Sequence, residues 1–175
     1  MFFVVTGGSG SGKSAFAESL VERLGGSLRI YLATMMCFDE EGKKRIERHR
    51  RMRKDKGFAT REQYVSIGDA PIPEGAVVLL ECMSNLVANE MFDENGSKED
   101  CVAAVTEGIS QILQKAGHLI VVTNEIFSDG VLYDQETVRY QQFLGEINRR
   151  MSAMADGVFE VVYGIPLCLK GQHLP

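Results

Sequence analysis

Eight residues near the start of the chain have the composition and spacing of a phosphate cradle: Gly7-Gly8-Ser9-Gly10-Ser11-Gly12-Lys13-Ser14. They match G-x-x-x-x-G-K-[ST] at every fixed position, directly after the apolar run Phe2–Thr6 and at the opening of a helical pattern. Glycines at these spacings let backbone N–H groups curl around phosphate oxygens, and the helix N-terminus adds partial positive charge. In such a loop Lys13 reaches the β- and γ-phosphates of a nucleoside triphosphate, and the Ser14 hydroxyl is a ligand for Mg²⁺. The bland alternative, a Gly-rich strand–helix turn, does not account for Lys-Ser at the right offset.

A phosphate loop also needs an acid for the metal or for base work. Val77-Val78-Leu79-Leu80-Glu81 is an apolar strand ending in a carboxylate, the Walker B layout with Glu in place of the usual Asp. In an open parallel sheet the ligand crevice lies at the C-terminal strand ends, so Glu81 is expected to face the phosphates. A solvated strand-end Glu is the alternative. Asn124-Glu125 ends another apolar run at the same edge, and substrate contact and local turn stabilisation fit it equally well.

Residues 43–61 carry ten Lys/Arg and two Asp/Glu, a basic island on a chain of net charge −5. An anion site is the implied use. A helix over roughly 40–56 would place Arg45, His49 and Arg53 on one face at i, i+4 and i+8. Two flanking cations disfavour the imidazolium, and a neutral imidazole is a nucleophile able to attack a phosphoryl group. The arginines would meanwhile hold phosphate oxygens. From spacing alone, a solvated basic helix with an ordinary surface histidine is the favoured reading. His118 and His173 read as structural or exposed.

The elements that must position these groups follow from periodicity. Continuous apolar runs at 2–6, 28–34, 76–81 and 118–125 read as buried strands, with a short strand possible near Tyr64. Helical patterns follow at 14–24, 84–92, 98–116 and 134–155, and VFEVVYG and IPLCLKG close the chain as two short strands. Strands that are apolar throughout and alternate with helices predict a parallel sheet covered on both faces. The expected fold is one α/β domain over residues 1–175. It is a three-layer P-loop NTPase fold with a mostly parallel central sheet, RecA-like in kind. Hydrophobic residues at 45% and charged residues at 25% exclude a disordered chain. No apolar run suggests a transmembrane segment, and the start lacks the basic region of a signal peptide. Cys37, Cys82, Cys101 and Cys168 form no CxxC pair, which fits a reducing cytoplasm rather than a disulfide or zinc framework.

Further residues resemble the adenosylcobinamide kinase / adenosylcobinamide-phosphate guanylyltransferase family of cobalamin nucleotide-loop assembly. VTGGSGSGKS with AESL downstream, YLAT, Asp39 and RIERHRRMR fit the family's A-T…D…R-I-x-x-H-x-x-x-R pattern. Phe58, Thr60 and Glu62 fall where the family has an aromatic residue, Thr and Glu. LLECMSNLVAN, VVTNE, INRRMSAMAD and VVYGIPLCLKG complete a match spanning nearly the whole chain. The resemblance implies two reactions at one P-loop region. A nucleoside triphosphate, ATP or GTP, phosphorylates adenosylcobinamide. GMP from GTP is then transferred to that phosphate through a guanylylated histidine, here His49. Lys13 and Ser14 become triphosphate and Mg²⁺ ligands, Glu81 the acid at the metal or base position, and Arg45, Arg53 and Glu62 part of the nucleotide site. A homo-oligomer, trimeric by resemblance, is implied as well. The chain departs from the pattern at 126–133, at Phe58, and in a P-loop interior without the common Ala-Arg.

Two other readings compete. One is a plain P-loop small-molecule kinase in which His49 does nothing covalent. The other is a nucleotide-switched binding protein whose basic helix grips nucleic acid or a partner. The acidic overall charge and the lack of an aromatic stacking platform beside the basic stretch argue against a nucleic-acid partner. There is no NKxD guanine-reading motif, so base recognition must come from elsewhere.

Overall fold

The computed structural model describes residues 1–36, 44, 47, 51, 56–128 and 130–171. Within them the strands are β1 (Phe2–Thr6), β2 (Arg29–Ala33), β3 (Phe58–Glu62), β4 (Val77–Glu81), β5 (His118–Val122), β6 (Gly157–Val162) and β7 (Ile165–Lys170). They form one sheet in the order β3-β2-β4-β5-β1-β6-β7, parallel except for the final β6–β7 pair. The helices are α1 (Lys13–Leu24), α2 (Met83–Phe92), α3 (Cys101–Lys115) and α4 (Gln135–Met154). No helix among the described residues is long and apolar enough to cross a membrane.

The central strands are apolar at successive positions because both sheet faces are covered. Val4, Leu32, Leu80 and Val121 pack with Leu86, Ile109 and Leu144 of α2, α3 and α4. Val5, Tyr31, Leu79 and Val122 point the other way, onto Ala17, Leu20 and Val21 of α1. This alternation is the period-two geometry of a strand. It also puts Glu81 on the α1 face, two residues beyond Leu79. The α/β fold, the mostly parallel sheet and the alternating elements agree with the sequence reading.

The short strand expected near Tyr64 lies earlier, at Phe58–Glu62. Its sequence, FATRE, is mostly polar, and among the described strands it is the outermost, paired with β2. Register with β2, not apolar patterning, makes it a strand. The pattern at 98–116 splits into a 3₁₀ turn, Lys98–Asp100, and α3. Of the basic stretch, Lys44, Glu47 and Arg51 are helical and exposed. Cys37, Asp39, Arg45, His49, Arg53 and His173 lie outside the described residues. His118 is half-buried, its Nδ1 3.2 Å from the N-terminal nitrogen, and burial with that ammonium lowers its pKa.

Two buried carboxylates bind loops to this frame. Glu18 of α1 is buried and ion-paired with Lys56, just before β3. Glu90 of α2 is also buried, and accepts from Ser66 N at 2.6 Å, Ser97 N at 2.9 Å and Ser97 Oγ at 2.7 Å. Removing the Glu90 carboxylate strands two backbone donors, each costing about 1–3 kcal/mol. Glu90→Ala should therefore lower the unfolding free energy by about 2–4 kcal/mol. Urea denaturation followed by circular dichroism measures this, and a loss below about 0.5 kcal/mol would show that water replaces the carboxylate.

Candidate nucleotide site

The loop between β1 and α1 is shaped by its glycines. Gly7 has φ +151°, and a Cβ there would lie 2.5 Å from Val161 O. Gly12, at φ +92°, is the N-cap of α1. α1 has neither a side-chain cap nor an acidic residue in its first turn, which leaves the amide end suited to an anionic ligand. Gly8, Ser9 and Gly10 are exposed along the open side of the loop. The loop is tied down by Glu125 N donating to Gly7 O at 3.2 Å and by Gly164 N donating to Ser11 O at 2.8 Å.

Lys13 and Ser14 open α1. Lys13 Nζ donates to Gly8 O at 3.0 Å, which keeps the ammonium over the loop. Burial pushes its pKa down, while Glu81 pulls it back up. Ser14 Oγ donates to Glu81 Oε1 at 2.6 Å, and Tyr31 Oη donates to Glu81 Oε2 at 2.7 Å. The structure thus brings together Lys13, Ser14 and Glu81, although β5 separates β4 from the P-loop strand.

Glu62 stands at the same edge. Ala33 is in register with both Glu62 and Glu81, so the two residues share a sheet face two strands apart, with backbones about 10 Å from each other. Glu62 is exposed and accepts from Tyr64 Oη at 3.0 Å. The face expected for Arg45, His49 and Arg53 falls outside the described residues.

Several contacts in the site were absent from the sequence argument. Thr34, fully buried, clamps β2 to β4: its Oγ1 donates to Cys82 O at 2.8 Å and accepts from Cys82 N at 2.9 Å. Asn89 Nδ2 donates to Thr34 O at 2.8 Å and Tyr64 O at 2.9 Å. Cys82 Sγ lies 3.1 Å from Ser84 Oγ, which also accepts from Asn124 Nδ2. Burial raises the Cys82 pKa, so it stays a neutral thiol. Asn124 thus belongs to a partly buried polar network, whereas Glu125 Oε1 serves its own turn, accepting from Phe127 N and Ser128 Oγ at 2.9 Å each. The signal available in the sequence was a polar residue directly after each apolar run.

The donor chemistry fits Mg²⁺. The Ser14 hydroxyl and the Glu81 carboxylate are hard oxygen donors 2.6 Å apart. Neighbouring ligands of an octahedral ion with bonds of 2.0–2.1 Å sit about 2.9 Å apart.

A family model described as cobinamide kinase / cobinamide phosphate guanyltransferase matches residues 3–169. The bifunctional adenosylcobalamin biosynthesis protein CobU of Escherichia coli K12 is 32% identical, over 97% of this chain and all of that protein. CobP of Pseudomonas aeruginosa, of the same description, is 27% identical over 98% of each chain. Among solved structures, a KaiC-like protein from Pyrococcus horikoshii OT3 superposes with a TM-score of 0.52 at 12% identity, covering 99% of this chain and 80% of that one. That likeness bears on the fold alone. The sequence matches decide the family: this chain belongs to the cobinamide kinase / cobinamide phosphate guanyltransferase family.

Proposed function

We propose that the chain phosphorylates the hydroxyl of adenosylcobinamide with a nucleoside triphosphate and then transfers GMP from GTP to the phosphate it has made. The observation that carries this reading is the Ser14–Glu81 hydrogen bond beside Lys13, within a chain of this family. In the first reaction the substrate hydroxyl attacks the γ-phosphorus, the β–γ bridging bond breaks, and the diphosphate leaves. The P-loop amides and Lys13 bind the charge on the β- and γ-oxygens. Glu81 orients the attacking hydroxyl or accepts its proton. Ser14 and Glu81 would hold Mg²⁺, which neutralises phosphate charge when bound.

In the second reaction a ring nitrogen of His49 attacks the α-phosphorus of GTP and pyrophosphate leaves with the bonding pair. A phosphate oxygen of adenosylcobinamide phosphate then attacks the same phosphorus. The P–N bond breaks and the imidazole regains its lone pair. Arg45 and Arg53 hold the incoming phosphates in this scheme. The connection carrying these residues leaves β2 beside Glu62 and Glu81, and Lys56 holds its far end to Glu18 of α1. A homo-oligomer, trimeric by resemblance, belongs to the same reading. Ile165, Leu167 and Leu169 on the outer strand β7, all exposed, supply apolar surface for it.

The test supplies adenosylcobinamide, GTP and Mg²⁺ and reads products by mass. The phosphate ester and then the GDP-linked corrinoid should appear. Glu81→Gln should keep the fold yet slow the first product about 10²-fold or more, the usual scale for a positioned acid–base group. An unchanged rate and Mg²⁺ titration would return Glu81 to a structural role.

A further inference from the structure

A P-loop reads phosphates and leaves the base of its nucleotide unrecognised, and this chain has no NKxD motif to read it. The β6–β7 hairpin offers a platform. Val162 pairs with Ile165, so Tyr163 and Gly164 form a two-residue turn with φ of +51° and +80°. Both central residues at positive φ mark a type I′ turn, whose first position favours Asn, Asp or Gly. Tyrosine there is strained, and its side chain gains no packing from the described residues in return: Tyr163 is 94% exposed.

The turn is fixed against the phosphate loop. Gly164 N donates to Ser11 O at 2.8 Å, and Gly164 Cα lies 3.3 Å from where a Cβ on Gly12 would stand. On the same strand, Val161 O closes over Gly7. A rigid, solvent-facing aromatic ring therefore stands one residue from a hydrogen bond to the phosphate cradle. Strain without packing benefit, at a place locked to a ligand loop, is the pattern of a residue held for binding.

We propose that Tyr163 stacks on the purine base of the nucleotide whose phosphates fill the Gly7–Ser14 loop. The proposal rests on the P-loop reading above and assigns base binding to the hairpin turn. Stacking is tolerant of base identity, so Tyr163 supplies affinity and position for ATP and GTP alike.

The test compares GTP, supplied as its α,β-methylene analogue so that His49 cannot cleave it, with inorganic tripolyphosphate, each with Mg²⁺, by calorimetry on the full chain. Stacking energies by alanine substitution correspond to about 5- to 150-fold in affinity. Tyr163→Ala should weaken GTP by that range and leave tripolyphosphate within about two-fold; Tyr163→Phe should bind GTP as wild type does. The chain has no tryptophan, so Tyr163→Trp adds a lone reporter, expected to be quenched by GTP and not by tripolyphosphate. GTP affinity unchanged in Tyr163→Ala, or both ligands weakened equally, would overturn the stacking role. Lys13→Ala separates the two readings, because it should lose both ligands whatever Tyr163 does. If wild type binds neither, the P-loop reading fails and the stacking proposal with it.

Discussion

Lys13→Ala is expected to reduce phosphate transfer to adenosylcobinamide by about 10²–10³-fold, the usual loss when one preorganised charge-stabilising group is removed. The ammonium is partly desolvated, which lowers its pKa and strengthens whatever it touches. Its hydrogen bond to Gly8 O keeps it over the loop before any phosphate arrives, so little reorganisation is needed when charge develops. The glycine conformations and the ties to Glu125 and Gly164 belong to the backbone, so the variant should fold normally. Steady-state kinetics at saturating Mg²⁺ measure the effect. A rate within a few-fold of wild type would remove Lys13 from the phosphate site.

Lys13, Ser14 and Glu81 were legible because each belongs to a pattern that is local in sequence: a glycine spacing, or a carboxylate ending an apolar run. Their meeting follows from the parallel sheet, which gathers the C-terminal strand ends at one edge. The clamp around them was not legible. Thr34 and Cys82 lie 48 residues apart, and Asn124 and Ser84 lie 40 apart. Their position after apolar runs marks Thr34, Cys82 and Asn124 as strand-end residues, but nothing local pairs any of the four with its partner. β3 was misplaced for a related reason, since its polar residues become a strand only through pairing with β2. β7 shows the converse: IPLCLK is apolar enough to read as a strand, yet it is almost entirely exposed. Apolar patterning located the strand and could not say whether a layer covers it.

The second large effect concerns His49. In His49→Ala the chain loses the only proposed nucleophile for the α-phosphorus, so covalent uptake of GMP should vanish altogether. Phosphorylation of adenosylcobinamide should persist, because Lys13, Ser14 and Glu81 meet through β1, α1 and β4 without it. The variant should therefore accumulate adenosylcobinamide phosphate and form no GDP-linked corrinoid, a separation that product mass resolves. Loss of both activities together would mean that the basic stretch serves the phosphate site itself.

The most direct measurement is intact mass after incubation with GTP and Mg²⁺, for wild type and His49→Ala, with and without a brief acid treatment. A phosphoramidate is labile to acid and stable to base, unlike a serine ester. The account predicts one GMP added to wild type, removed by acid, and none on His49→Ala. Wild type without added GMP, or His49→Ala labelled as well as wild type, would contradict the covalent mechanism and leave a plain P-loop kinase.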